Sequence, residues 1–386
     1  MRALVIGGSL GGLAAAHELE AIGADVTVYE RSVDRTQPRG AGIVMQSEVE
    51  SLLARLGRSV PSVCVELTER QQLHHGAAPT RYRAPQWMTA WDTLYDALRQ
   101  PLGCLRLNSR LEQLDTASDT QNDSVTASFS DGHVASGDIL VGADGVGSTT
   151  RRLLTGRDDL TYSGYVAYRG LEPESALPPA LHQLLNERFT MYAVPGLQML
   201  CYLVPGAGGE RTPGARRINW VLYVNTPEAD LAGLLTGSSG RHYDQFVPPG
   251  ELTAGSQNAL LSMADRELPA PMSELVALSN VFLQPVFDLP PTPMSAGRVA
   301  LIGDAAGTVR PHTASGTSKA MGDAADLAHV LRGWTPPAPP PARDLQAWSA
   351  ARTTHLRLVA GMGIRLAAQS SLGVGGPTFN SGRESA

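Results

Sequence analysis

Apolar and polar positions change rhythm several times along this chain, and the changes mark its parts. Residues 3 to 30 open with the apolar run Ala3-Leu4-Val5-Ile6 and pass through Gly7-Gly8-Ser9-Leu10-Gly11-Gly12. They continue in helical spacing from Leu13 to Glu20 and end in the alternation of Val26 and Val28. That order predicts a strand, tight turn, helix and second strand, with Gly23 as the helix stop. Helical spacing returns over Glu48 to Leu56 and Ala90 to Arg99, separated by a polar stretch near Arg70 to Pro85. Residues 122 to 142 predict a hairpin: Val125 to Phe129 alternates, Asp131-Gly132 is a turn dipeptide, and Asp138 to Val141 is a second apolar run.

From 160 to 290 the segments become aromatic and β-branched. Tyr165 to Arg169, Phe189 to Val194, Met199 to Val204 and Ile218 to Val224 are divided by Gly/Pro loops, which predicts a mainly antiparallel sheet. Val299 to Ile302 restores a buried strand, Gly303 to Gly316 a glycine-rich turn, and Thr317 to Leu331 a helix. On that helix Ala320, Ala324, Leu327, Ala328 and Leu331 form an apolar face. The fold class is therefore α/β, with a discontinuous Rossmann-like nucleotide-binding domain over 1–160 and 290–335. A mainly antiparallel β-sheet substrate domain is inserted at 161–289, joined by part of 70–100. Beyond the proline-rich spacer Pro336 to Pro341, residues 342–370 predict a C-terminal helical segment and 371–386 a flexible tail.

Composition narrows the function. A chain of 386 residues buries a large core, and 18% charged residues with a net charge of −6 fit neither a disordered chain nor a nucleic-acid partner. Cys64, Cys104 and Cys201 are odd in number and far apart, giving no disulfide framework and no zinc spacing, so a cytoplasmic, metal-free chain is expected. The apolar stretch after Met1 breaks at Gly7, too soon for a signal peptide or a membrane span. Lys319 is the sole lysine among 31 basic residues.

Three glycine/aspartate motifs carry the chemistry. In Gly7-x-Ser9-x-x-Gly12 the glycines allow close backbone approach, and Ser9 and Leu10 offer N–H groups at a helix start, which is what a pyrophosphate needs. Glu30, 18 residues on from Gly12, is placed to accept from a ribose. Alone, this motif reads equally as a glycine-rich turn with a surface Glu, and it does not choose NAD over FAD. The second, Asp144-Gly145-x-x-Ser148-x-x-Arg151, follows the apolar run ending at Val141. It resembles the middle motif of the flavin-dependent aromatic hydroxylases, the class A flavoprotein monooxygenases of which para-hydroxybenzoate hydroxylase is the prototype. The third, Gly303-Asp304-Ala305-Ala306-Gly307 through Pro311 to Gly316, is similar to the family's last motif. There the following helix turns its positive N-terminus toward the flavin, stabilising the charge that reduction places near N1 and O2.

The resemblance runs by motif order over about residues 1 to 355. It implies a GR2-type FAD-binding domain, FAD as cofactor, NAD(P)H as transient co-substrate, and oxygen transfer from a flavin C4a-hydroperoxide to an activated ring. A small aromatic substrate and O2 are then the partners, and a homo-oligomer stays open. Residue by residue it implies FAD contacts at Arg31, Arg39, Arg99, Leu114, Asp144, Gly145, Asp304, Pro311, Ala314, Gly316 and Thr317. Many members have Pro-x-x-Gly-x-Gly-x-Asn where this chain has Pro311-His312-Thr313-Ala314-Ser315-Gly316-Thr317-Ser318. That form, with Ala90-Trp91-Asp92-x-Leu94, is similar to the subgroup containing 2,6-dihydroxypyridine hydroxylase and implies an electron-rich pyridine or phenol.

Asn219, Val221 and Tyr223 share one face of a strand, with Tyr202 on its neighbour. A tyrosine beside a substrate hydroxyl shifts its ionisation, so Asn219, Tyr202 and Tyr223 are candidate catalytic or anchoring residues; the plainer reading is ordinary sheet packing. No arginine stands on that strand face, which disfavours a benzoate-like anion, although Arg216 and Arg217 lie beside it. His312 is either a base or hydrogen-bond donor near the flavin or a turn histidine held for packing. Lys319, in the first turn of the helix after the third motif, reads either as a contact to flavin or phosphate or, more plainly, as a surface lysine, and His74-His75 reads as solvated. A halogenase would need a Trp-x-Trp-x-Ile-Pro segment, which is missing. A plain NAD-dependent dehydrogenase leaves the second and third motifs unexplained, and a non-catalytic flavin-binding protein stays open.

Overall fold

The computed structural model describes residues 1–32, 42–100, 102–116 and 124–379. Strand β1 (Arg2–Ile6), helix α1 (Leu10–Glu20) and strand β2 (Asp25–Tyr29) form the expected opening unit. Next come β3 (Gly42–Val44), α2 (Ser47–Arg55), β4 (Val65–His74), β5 (Ala77–Ala90), α3 (Trp91–Arg99), β6 (Leu105–Arg106) and β7 (Leu111–Asp115). They are followed by β8 (Val125–Phe129), β9 (Val134–Gly137), β10 (Ile139–Gly142), α4 (Thr149–Thr155) and β11 (Thr161–Pro173). The middle of the chain adds α5 (Pro179–Leu185), β12 (Arg188–Val194), β13 (Leu197–Val204), β14 (Arg217–Asn225), α6 (Glu228–Leu234), α7 (Ala254–Glu267) and α8 (Ala270–Ala277). It closes with β15 (Phe282–Asp288), β16 (Ser295–Ala296), β17 (Val299–Leu301), α9 (Gly316–Leu331) and α10 (Ala342–Gln369).

The first sheet runs β16-β17-β10-β1-β2-β6, parallel except at the β16/β17 edge. Helices α1, α2, α3, α9 and α10 pack on one face, where Val5, Leu13, Val28, Leu94, Val141, Ala324 and Trp348 share one core. The three-stranded sheet β7-β8-β9 covers the other face through Leu4, Ile6, Val125 and Leu140. Strands covered on both faces read as continuous apolar runs, and that explains one correction. The hairpin expected over 122–142 closes on Val134–Gly137, whereas Ile139–Gly142, buried throughout, pairs in parallel between β1 and β17.

The second sheet runs β15-β11-β14-β13-β12-β4-β5-β3 and is antiparallel except where β12 meets β4. It takes in the polar stretch near Arg70 to Pro85, which forms the β4/β5 hairpin. Along β4, Val65, Leu67, Gln71 and Leu73 are buried while the residues between them are exposed or half-buried, so period-two burial hides in a polar composition. The expected flexible tail is docked as far as the description goes. Asn225 donates through Nδ2 to the carbonyls of Ser371 (2.8 Å) and Pro377 (2.9 Å) and accepts from the Gly373 N–H (2.8 Å). No helix among the described residues is long and apolar enough to cross a membrane.

Candidate active site

The three motifs meet at the ends of the parallel strands. Gly7 has φ +106°, and a β-carbon there would strike the Ala143 carbonyl; one at Gly12 would collide with the Gly7 carbonyl. The loop leading into α1 therefore seats directly against the second motif, and no side chain caps the helix, which leaves its first N–H groups open to an anion. Glu30 is buried. Its Oε2 accepts from the Gly8 N–H (2.7 Å) and its Oε1 from Ser32 N (2.9 Å) and Oγ (2.7 Å), so the carboxylate fixes the glycine loop whatever else it touches.

Asp144 is likewise committed to its own turn. Its carboxylate accepts from Ser148 Oγ (2.5 Å), Thr150 N (2.9 Å) and Thr150 Oγ1 (3.0 Å), while Gly145 beside it has φ +76° and open space at its β position. Arg151, 1% exposed, donates to the carbonyls of Val146 (3.0 Å) and Ala305 (3.2 Å). It thus ties the second motif to the third, a link that motif spacing alone did not reveal.

In the third motif Gly303 has φ +59°, and Asp304 keeps access to solvent while the protein packed around its carboxyl removes enough water to raise its pKa, opposed by Lys319. Pro311 to Thr313 form a single 3₁₀ turn, after which Ala314 takes φ +54° where relatives of the motif have glycine. Gln46 from the start of α2 donates to the Ala314 carbonyl (3.0 Å) and accepts from Ser318 Oγ (2.5 Å), bracing the turn. Gly316 and Thr317 open α9, whose first turn has no side-chain cap. Lys319 is not a surface lysine: it is 2% exposed.

Register sets the face of the second sheet. Tyr223 lies opposite Gln198 and Ala167, Val221 opposite Leu200 and Arg169, and Asn219 opposite Tyr202 and Leu171, so these side chains share one side. His312 reaches this face. Its ring centroid is 4.6 Å from that of Tyr223 and 5.7 Å from that of Tyr165. Its Nδ1 lies 2.9 Å from Gln198 Oε1, an atom that only accepts, so Nδ1 carries the proton and Nε2 accepts from the Tyr165 hydroxyl at 3.1 Å. Burial, with Arg310 adding to it, pulls the His312 pKa down to about 4. At neutral pH this histidine is an uncharged acceptor. Burial also raises the phenols of Tyr165, Tyr202 and Tyr223 above their ordinary value, keeping them protonated.

At the other end of the face, Asn219 is fully buried. Its Oδ1 accepts from the Gly42 N–H (2.9 Å), while its Nδ2 has no partner among the described residues. The Tyr202 ring packs against Gly42, leaving no room for a β-carbon there. Arg169 stands beside these groups, half-buried, with its Nε unpartnered among the described residues and its charge lowering the pKa of Tyr202 and Tyr223. The absence of arginine read from β14 alone is therefore corrected by its neighbour β11. Arg216 and Arg217 are committed elsewhere, to Glu174 (2.6 Å) and Asp92 (2.8 Å). Period-two alternation along Tyr165-Val166-Ala167-Tyr168-Arg169 was a usable signal; the register that brings it beside Asn219 was not.

The other expected contacts scatter. Arg99 donates to the Leu102 carbonyl (2.7 Å) at the end of α3, Leu114 belongs to β7 of the three-stranded sheet, and Arg31 is exposed. Arg39 lies outside the described residues. Arg99, Leu114 and Arg31 are not joined by hydrogen bonds to the three motifs among the described residues.

Comparison with known proteins matches residues 1–163 and 288–339 to an FAD-binding-domain family model and residues 162–288 to an FAD-binding-domain-like model. The chain belongs to this FAD-binding family. It is 32% identical to 2,6-dihydroxypyridine 3-monooxygenase of Paenarthrobacter nicotinovorans over 98% of this chain and 94% of the relative. It is 28% identical to 6-hydroxynicotinate 3-monooxygenase of Bordetella bronchiseptica, covering 86% and 82%. The solved 2,6-dihydroxypyridine-3-hydroxylase from Arthrobacter nicotinovorans superposes with a TM-score of 0.88 at 28% identity, covering 100% of this chain and 98% of that one. Klebsiella pneumoniae HpxO, solved with FAD and uric acid, shares the fold at a TM-score of 0.74 and 23% identity, covering 96% and 89%. This member of the FAD-binding family is an FAD-dependent monooxygenase of the aromatic-hydroxylase type. The residues present fit FAD: two uncapped helix starts and the exposed Asp304 converge where β-carbons at Gly7 and Gly12 have no room.

Proposed function

We propose that this flavoprotein hydroxylates a hydroxylated, electron-rich pyridine or phenol ring, with NAD(P)H and O2 as co-substrates. The observation that carries this reading is the uncharged His312, set between Tyr165, Tyr223 and Gln198 at the turn of the third motif. When bound, FAD supplies the redox and oxygen-activating chemistry. Gly7, Ser9, Leu10 and Gly12 would hold its pyrophosphate, Asp304 its ribityl or phosphate-linked part, and Gly316 and Thr317 at the start of α9 its pyrimidine edge. The protein's remaining task is to make the ring electron-rich at the right moment. A ring hydroxyl meets a face whose hydrogen bonds are already oriented, with Tyr165 donating to the uncharged His312 Nε2 and His312 Nδ1–H donating to Gln198 Oε1. Asn219 Nδ2 and the Arg169 guanidinium supply donors for the oxygen that becomes negative. Val221, Leu200 and Tyr223, all buried or half-buried, keep the face between them dry.

Arg169 favours a second reading, in which the ring also carries a carboxylate. One screen separates them. Hydroxypyridines and phenols, each with and without a carboxylate, are tested for coupled NAD(P)H consumption, oxygen uptake and hydroxylated product. Turnover confined to carboxylate-bearing rings would replace the first reading with the second, and flavin oxidation without any product would sink both. In either case Arg169→Met lowers kcat/KM about ten- to hundredfold, the worth of a hydrogen bond to a charged group; an unchanged kcat/KM removes Arg169 from the site.

A further inference from the structure

Beneath the flavin-facing turn lies a buried charge cluster that the chemistry above does not use. The ammonium of Lys319 donates to the carbonyls of Gly303 (2.6 Å) and Gly307 (3.2 Å), the two ends of the turn that carries Asp304. It stands 3.7 Å from Asp323, four residues on along α9. Asp323 in turn accepts from the Gly303 N–H (3.0 Å) and from Arg352 Nε (2.6 Å), and Arg352 Nη2 donates to the Lys319 carbonyl (3.3 Å). Both backbone polar groups of Gly303 are therefore gripped by side chains one turn apart on the same helix. Gly303 needs that grip. It sits in the left-handed region at φ +59°, and a β-carbon would press on Ala320 at 3.0 Å, so the turn is shaped closely to α9.

Electrostatics argue against a lysine here on general grounds. A cation in the first turn opposes the helix dipole, and burial of an ammonium is costly unless it is fully partnered. The one lysine in the sequence nevertheless occupies this place at 2% exposure. Its partners are the carbonyls on either side of Asp304 and a carboxylate that holds the same turn.

We infer that Lys319, working with Asp323, is a positioning residue for the cofactor: it fixes the Gly303–Gly307 turn so that Asp304 is presented to FAD. The inference rests on the reading of Asp304 as an FAD contact, and the experiment separates the two. Apoprotein is titrated with FAD, followed by flavin fluorescence, for wild type, Lys319→Met, Asp304→Asn and the double variant, with thermal unfolding of each apoprotein recorded alongside. Asp304→Asn and Lys319→Met each raise Kd about tenfold, and the double variant binds no more weakly than the worse single one, because Lys319 acts through Asp304. A merely structural lysine would lower the unfolding temperature of the apoprotein and leave Kd within about twofold of wild type, or would multiply with the Asp304 effect; either result overturns the inference. Wild-type Kd in Asp304→Asn instead removes the reading of Asp304 itself. Where Lys319→Met does not fold, Lys319→Gln keeps one donor for the Gly303 carbonyl; its Kd is expected between the two and is judged by the same criteria.

Discussion

Ala314 shows how much one dihedral angle carries. It holds φ +54° at a position where the family motif has glycine, and an L-residue there costs about 1–2 kcal/mol. Ala314→Gly relieves that strain but frees the unfolded chain, so a net gain of about 0.5–1 kcal/mol is expected; chemical denaturation that shows a loss would mean the methyl group packs against something essential. His312 gives a pH signature. Its pKa lies at about 4 in the native state, below its ordinary value of 6.5. Between those values the unfolded chain binds a proton that the native protein does not, so stability is complete above pH 6.5 and falls as pH drops toward 4. The full loss is about 3 kcal/mol. Thermal unfolding from pH 7 to 4 should decline less steeply in His312→Asn than in wild type; equal slopes would show that His312 is charged inside the protein. Neither residue's environment was legible in sequence. The motif located His312 beside the third glycine turn, but only the fold brings Gln198 and Tyr165, more than a hundred residues away, to its two nitrogens.

Among elements, the parallel strands and the helices facing them were the most legible, because continuous apolar runs and helical spacing are local signals. Helix α9 was expected over Thr317 to Leu331 and spans Gly316–Leu331, with Ala320, Ala324 and Leu327 buried as its pattern implied. Strands β4 and β5 were not legible, since one polar face against solvent dilutes period-two burial. Nor was the dual service of the second motif. Arg151 matched a family position, yet its bond to Ala305 makes one loop the support of another. Arg151→Met removes the donor from two carbonyls, Val146 and Ala305, at about 1–3 kcal/mol for each one left buried and unsatisfied. It is therefore expected to lower the unfolding temperature and to loosen FAD at the same time. A variant destabilised with FAD affinity unchanged would show that the bridge serves folding alone.

At the scale of the whole molecule, the discontinuous FAD domain and inserted sheet followed from motif order, while closure of the site did not. Leu372, beyond α10, packs with Tyr165, Val221 and Tyr223, so the last described residues cover part of the aromatic face on its own side. Asn225→Ala breaks three hydrogen bonds that hold this segment, at about 2–4 kcal/mol in total. Limited proteolysis should then cut beyond Gln369 sooner than in wild type; unchanged cleavage would show that side-chain packing alone secures it. One further property follows from the lysine under the Gly303–Gly307 turn. Because the chain has no other lysine and this one is buried, every cationic side chain at the described surface is an arginine or a histidine. Reagents and enzymes that acylate lysine therefore find their target only when the start of α9 opens, so acylation at Lys319 serves as a clock for that opening.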